Sequence, residues 1–161
     1  MTIQPGDQIP SVEVKLVTSQ GVSDATSDEI LGNGTVVFFS VPGAFTPTCH
    51  LNHLPGYLEN YDAILAKGVD TIAVVAVNDQ FVMQAWARFT GGEGKLLFLA
   101  DGSGDFATAA GLDLDLAKAG LGLRLKRFSA IVEDGTVTAL NIEDAPGMVA
   151  NSGAATILEQ L

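Results

Sequence analysis

Hydrophobic and polar positions change their period several times along the chain. Residues 12–17, VEVKLV, alternate and predict a strand that folds back after Gln20-Gly21 as a hairpin. Thr35–Val41, TVVFFSV, is a continuous β-branched and aromatic run, the pattern of a strand covered on both faces, and it stops at Pro42-Gly43. From Thr48 to Lys67 apolar residues recur three or four apart (Leu51, Leu54, Leu58, Tyr61, Ile64, Leu65), which predicts a helix kinked or broken at Pro55. Thr71–Val77 predicts a second buried strand. Asn78-Asp79 then caps a helix that carries Phe81, Val82, Ala85, Trp86 and Phe89. Leu96–Ala100 predicts a third strand and Asp105–Ala110 a short helix. Phe128–Val132 and Thr136–Ile142 flank Glu133-Asp-Gly135 and predict a hairpin, and a last helix capped by Asn151 or Ser152 ends at Leu161. Strands alternating with helices, followed by an antiparallel hairpin, predict one α/β sandwich domain over residues 1–161, with a mixed central sheet flanked by helices.

Composition narrows the partners. The 161 residues are 47% hydrophobic and 17% charged, enough apolar material for a sizeable core. No apolar run is long enough to span a bilayer, and the N-terminus MTIQPGDQIP lacks the basic and apolar regions of a signal peptide. The formal net charge is −11, so neither nucleic acid nor an anionic membrane surface is an expected partner. Within this acidic chain, Arg124-Leu-Lys-Arg127 is a small basic cluster.

The one cysteine, Cys49, excludes an intramolecular disulfide and points to a reducing compartment, expected to be the cytoplasm. It follows a buried strand and the stiff segment Pro42-Gly-Ala-Phe-Thr-Pro47, and so falls in the first turn of a helix. There, free N–H groups and the positive end of the helix dipole favour a thiolate. The backbone N–H groups of Thr48 and Cys49 are expected to aim above the sulfur, and the Thr46 hydroxyl to turn towards the same space. The alternative is a buried cysteine that acts only as a small apolar residue.

Both histidines, His50 and His53, lie within four residues of Cys49. On a regular helix His53 shares a face with the thiol. It could be a metal ligand, but the first shell would be incomplete. It could be the base of a protease-type pair, but no accompanying signature is present. The plainest reading is a side chain that packs or hydrogen-bonds near the site, with His50 a partly exposed neighbour. Arg124 and Arg127, at the start of a strand, are either a solvated edge or a guanidinium pair that holds the thiolate and offers donors to an oxygen substrate.

Pro42-Gly-Ala-Phe-Thr46-Pro-Thr-Cys49 resembles the peroxiredoxin active-site pattern Pro-x-x-x-Thr-x-x-Cys, and the run PGAFTPTCHLNHLPG resembles the peroxiredoxin-5, or type II, subfamily. Further matches are VNDQFVMQAWA, FLADGSGDF, GLDLDL and LGLRLKRFSAIVEDG, in order along most of the chain. The resemblance implies a thioredoxin-like fold with an N-terminal β-hairpin extension, and a thiol peroxidase that needs no metal, haem or nicotinamide. It implies Cys49 as the peroxidatic cysteine, Thr46 and Arg127 holding it and the peroxide, and Pro42 shielding the sulfur. The amides of Thr48 and Cys49 would complete the pocket, with Arg124 a second arginine and Leu116 lining it.

The departures from the pattern carry consequences. Resolving cysteines found in related proteins are replaced by Val74 and Asn151, and Gln80 stands where a proline is usual. The sulfenic acid of Cys49 would then need an outside thiol: glutathione, glutaredoxin or thioredoxin. A homodimer follows by the same likeness. A redox relay, passing oxidation from Cys49 to a partner protein, is the alternative to a peroxidase.

Overall fold

The computed structural model describes residues 1–161. Seven strands form one mixed sheet in the order β2-β1-β5-β4-β3-β8-β9. The parallel centre is β3 (Thr35–Ser40), β4 (Thr71–Ala76) and β5 (Leu97–Ala100). On one side the hairpin of β1 (Glu13–Thr18) and β2 (Gly21–Thr26) adds antiparallel to β5. On the other, β8 (Phe128–Glu133) pairs antiparallel with β3 and is followed by β9 (Thr136–Ile142). This is the expected thioredoxin-like mixed sheet, with the N-terminal hairpin extending the same sheet.

The continuous apolar runs of β3 and β4 follow from helices on both faces. Val37, Phe39, Val74 and Ala76 point into one core with Trp86 of α4 (Gln80–Thr90) and Ile157 of α6 (Ala154–Gln160). Val36, Phe38, Ala73 and Val75 point into the other, with Leu31 of α1 (Ser27–Leu31) and Phe106 of α5 (Asp105–Ala109). Edge strand β2 is polar, and Asp24 on it pairs with Lys15 of β1, which discourages further strand addition.

Four features differ from the sequence reading. The helix over 48–67 is not continuous: a wide turn over Cys49–His53 passes into α2 (Leu54–Glu59), and a break at Asn60 precedes α3 (Tyr61–Ala66). Pro55 sits in the first turn of α2, where its missing N–H costs nothing. A two-stranded ribbon, β6 (Asp113–Leu116) with β7 (Gly122–Leu125), stands apart from the main sheet. Arg124 is therefore on the ribbon and Arg127 precedes β8, so the two do not share a strand. The cap of α6 is Gly153, because the Ser152 hydroxyl donates to Glu143 instead. Finally, α1 is capped by Thr26, whose N–H donates to Glu29 Oε2 in a capping box.

Candidate active site

The loop from β3 to the wide turn is held from three sides. Ala44 N–H donates to Asn78 Oδ1 at the end of β4, at 2.9 Å. The Thr46 hydroxyl donates to Gly43 O at 2.6 Å, and Arg124 Nη1 donates to Pro42 O at 3.2 Å. A Cβ on Gly43 would lie 2.7 Å from Arg124 Nη1 and 3.0 Å from Thr46 Cγ2, so a side chain there would displace the end of the arginine. Phe45 adopts φ 63°, a left-handed conformation strained for a bulky residue and a mark of an over-determined loop.

Cys49 opens the wide turn. His50 N–H still bonds Thr46 O at 2.9 Å, but Leu54 N–H reaches back five residues to Cys49 O. This is one turn of π-helix, a form concentrated at functional sites. The N–H groups of Thr48 and Cys49 have no acceptor within the protein, as first-turn donors should. Cys49 is 1% exposed and unpaired with any other cysteine.

Arg127 is buried to 2% exposure, and its guanidinium meets the sulfur directly. Nη2 donates to Cys49 Sγ at 3.0 Å and to Pro146 O at 2.9 Å, while Nε donates to Pro146 O at 3.1 Å. Nη1 donates to His53 Nδ1 at 2.8 Å. Four of its five N–H groups are thereby used, and one on Nη1 remains. The only carboxylate ion pairs in the chain are Lys15–Asp24 and Arg88–Glu93, so the buried guanidinium has no carboxylate partner. A buried cation is costly without an anion, and a thiolate at Cys49 supplies one.

His53 is buried at the other side of the guanidinium. Arginine only donates, so His53 Nδ1 is the acceptor and Nε2 carries the hydrogen, which it donates to Ser152 O at 2.9 Å. Tyr57 O–H donates to the same carbonyl at 2.7 Å. Burial first, and the Arg127 charge after it, lower the His53 pKa to about 4, so the ring is neutral near pH 7. Burial raises the Tyr57 hydroxyl well above its ordinary value and keeps it protonated. His53 and Cys49 thus meet through Arg127, and His53 is a hydrogen-bonding neighbour rather than a base on the thiol.

The Thr46 hydroxyl donates its hydrogen to Gly43 O, which leaves its oxygen available only as an acceptor. Pro42 is buried in the turn before the helix. The half-buried Thr48 donates through Oγ1 to Gly147 O at 3.3 Å. Arg124 makes no bond to the sulfur; its Nε donates to Leu121 O at 2.9 Å and its Nη1 to the Pro42 carbonyl. Leu116 is half-buried at the end of the ribbon, paired with Gly122. His50 accepts from Trp86 Nε1 at 3.1 Å and lies against Phe45 and Phe89. A cavity of about 500 Å³ lies elsewhere, between the β1–β2 hairpin and the turn into α5, and none of these residues lines it.

Sequence reasoning missed Gly43, Pro146, Ser152 and Glu143. Gly43 sits inside the motif, but its need for space shows only once Arg124 is placed. The other three act from a loop almost a hundred residues beyond Cys49.

Residues 4–158 match the sequence profile of the Redoxin family. Peroxiredoxin-2C of Oryza sativa subsp. japonica is 43% identical over 157 residues, 97% of this chain and 96% of that protein. This chain is a peroxiredoxin. Reduced Prx3 from Vibrio vulnificus in complex with H2O2 superposes on it with a TM-score of 0.92 at 44% identity, covering 99% of both chains. The Plasmodium falciparum antioxidant protein, a 1-Cys peroxiredoxin, superposes with a TM-score of 0.89 at 26% identity, covering 98% of both. With its single cysteine this peroxiredoxin is of the one-Cys form, a thiol-dependent peroxidase by family.

Proposed function

We propose that this peroxiredoxin reduces hydrogen peroxide and alkyl hydroperoxides through Cys49, with an external thiol closing the cycle. The observation that carries this reading is the 3.0 Å contact from Arg127 Nη2 to a buried, lone sulfur. The thiolate attacks one peroxide oxygen. The O–O bond breaks, Cys49 becomes a sulfenic acid, and the departing oxygen takes a proton to leave as water or an alcohol. The free Nη1 hydrogen of Arg127 and the N–H groups of Thr48 and Cys49 are donors for the growing negative charge. Thr46, its own proton committed, accepts from the peroxide O–H. Pro42 covers the sulfur, and Arg124 and Leu116 frame the approach.

With Val74 and Asn151 at the alternative resolving positions, no internal disulfide forms. One external thiol condenses with the sulfenic acid and releases water; a second attacks the mixed disulfide and restores the Cys49 thiolate. A sulfur this buried is reached more readily by a small flexible thiol than by a folded protein, which supports glutathione, with glutaredoxin acting on the mixed disulfide, over thioredoxin. The same thiol requirement supports a reducing compartment such as the cytoplasm; no helix is long and apolar enough to cross a membrane. A homodimer is supported by the exposed ring cluster beside the active-site loop. There Phe45 and Phe89 lie 5.8 Å apart, with Phe89 72% exposed.

Peroxide consumption by the reduced protein with glutathione and glutaredoxin, and separately with thioredoxin, tests this reading. The wild type is expected to turn over with the glutathione system and Cys49→Ser to be inert. Equal rates for wild type and Cys49→Ser would overturn the peroxidase; turnover with thioredoxin alone would overturn the choice of reductant.

A further inference from the structure

The loop from Glu143 to Ser152 joins β9 to α6 and supplies most of what holds the Arg127 guanidinium. Pro146 O accepts two of its hydrogen bonds. Ser152 O anchors His53, whose other nitrogen accepts a third. Gly147 O accepts from Thr48 beside the cysteine. The two ends of this loop are tied together by one side chain. Glu143 Oε1 accepts from Asn151 N–H at 2.6 Å, Ser152 N–H at 2.7 Å and Ser152 Oγ at 2.8 Å. Its own N–H donates to Arg127 O at 2.9 Å. The residue is 6% exposed, and its second oxygen, Oε2, is buried without any partner.

We propose that Glu143 is a positioning residue for peroxide reduction: it closes the 143–152 loop and so sets the Arg127 guanidinium against Cys49. This rests on the peroxidase reading above. The loop itself has no strand or helix between β9 and α6, so its two carbonyl anchors are only as fixed as its closure. Ser152 O receives both the His53 and the Tyr57 hydrogens, a convergence that requires the carbonyl to be held in place. Glu143 holds it by gripping the same residue's N–H and hydroxyl. Burial pushes the Glu143 carboxyl up, but the bonds from Ser152 and Asn151 together outweigh it and keep the group ionised, a strong acceptor for all three donors. Oε2 gains nothing from the fold, so three-donor closure is what the buried carboxylate does there.

When the grip is removed, the loop opens, His53 and Pro146 release the guanidinium, and the Cys49 thiolate loses its cation. The glutamine variant keeps an acceptor oxygen of the same reach and is expected to rescue. The test compares wild type, E143A and E143Q by the rate of Cys49 oxidation with hydrogen peroxide. The rate of Cys49 alkylation by iodoacetamide across pH, which reads thiolate formation without peroxide chemistry, accompanies it. E143A is expected to react with peroxide about tenfold more slowly and to shift its alkylation profile to higher pH. E143Q is expected to stay within about threefold of wild type, with an unshifted profile. Three results would overturn the proposal: an E143A profile equal to wild type, an E143A rate loss with no shift in alkylation, or an E143Q as impaired as E143A. If E143A does not fold, E143D replaces it, since its shorter carboxylate cannot span the same closure. If the wild type itself proves slow with peroxide, the peroxidase reading falls while the alkylation profiles still decide the role of Glu143.

Discussion

Arg124 and Arg127 are the same residue type three positions apart, yet they do different things. Arg127 is buried, has no carboxylate, and divides its donors among a sulfur, a histidine nitrogen and one carbonyl. Arg124 is half-buried on the β6–β7 ribbon and donates only to the carbonyls of Leu121 and Pro42. One donates directly to the Cys49 sulfur; the other braces the loop that leads to it. The difference lies in surroundings. A charge in a dry site without a counter-ion acts on the nearest group able to become an anion, whereas a charge bonded to backbone oxygen near solvent mainly sets geometry.

Substitution of the buried arginine should cause the greatest loss. Arg127→Gln removes the cation and its free donor together, and peroxide kcat/KM should fall by about a thousandfold, ~4 kcal/mol of transition-state stabilisation. A fall smaller than about tenfold, read by stopped-flow oxidation of Cys49, would remove Arg127 from the centre of the site.

Burial, with the Arg127 charge beside it, keeps His53 neutral. His53 titrates near pH 4 when folded, and near the ordinary histidine value of 6.5 when the chain is unfolded. The unfolded chain therefore takes up the proton first as pH falls. The contribution of neutral His53 is complete above pH 6.5 and is lost down to about pH 4, a total of about 3 kcal/mol. Urea unfolding of wild type against His53→Gln should show the stability gap narrowing over that window. A gap constant with pH would mean that the folded ring protonates as freely as the unfolded one.

At the brace the effects should be smaller. Arg124→Gln should lower kcat/KM by about tenfold, ~1.4 kcal/mol, because the loop loses one anchor while the sulfur keeps its cation. A loss equal to that of Arg127→Gln would erase the distinction between the two arginines. Gly43→Ala should act on the same contact from the other side. Its Cβ would push against Arg124 Nη1, and the rate should fall about threefold to fivefold with little change in thermal unfolding. The double variant Gly43→Ala/Arg124→Gln should then be no slower than Arg124→Gln alone, since both remove one interaction.

The two arginines also show what the chain reveals before folding. Cys49 was legible because a lone cysteine follows a buried strand within a Pro/Thr-rich turn, a local pattern. The central strands were legible because β3 and β4 are covered on both faces and read as unbroken apolar runs. The β6–β7 ribbon was not, because DLDL and GLRL are short and half-exposed, with too few buried positions to mark a strand. The wide turn at Cys49 was hidden because its side-chain spacing also fits an ordinary helix. The arrangement around Arg127 was least legible. Its partners sit at positions 49, 53 and 146, and only the fold brings them together.

The central proposal is that Cys49 is a peroxide-reactive thiolate that requires an outside thiol. Intact mass of the reduced protein after one equivalent of hydrogen peroxide, with and without glutathione, tests that most directly. The expected result is addition of one oxygen at Cys49, converted to a glutathione adduct when the tripeptide is present and absent in Cys49→Ser. An unchanged mass within the mixing time would contradict it and leave Cys49 a buried apolar residue beside an arginine.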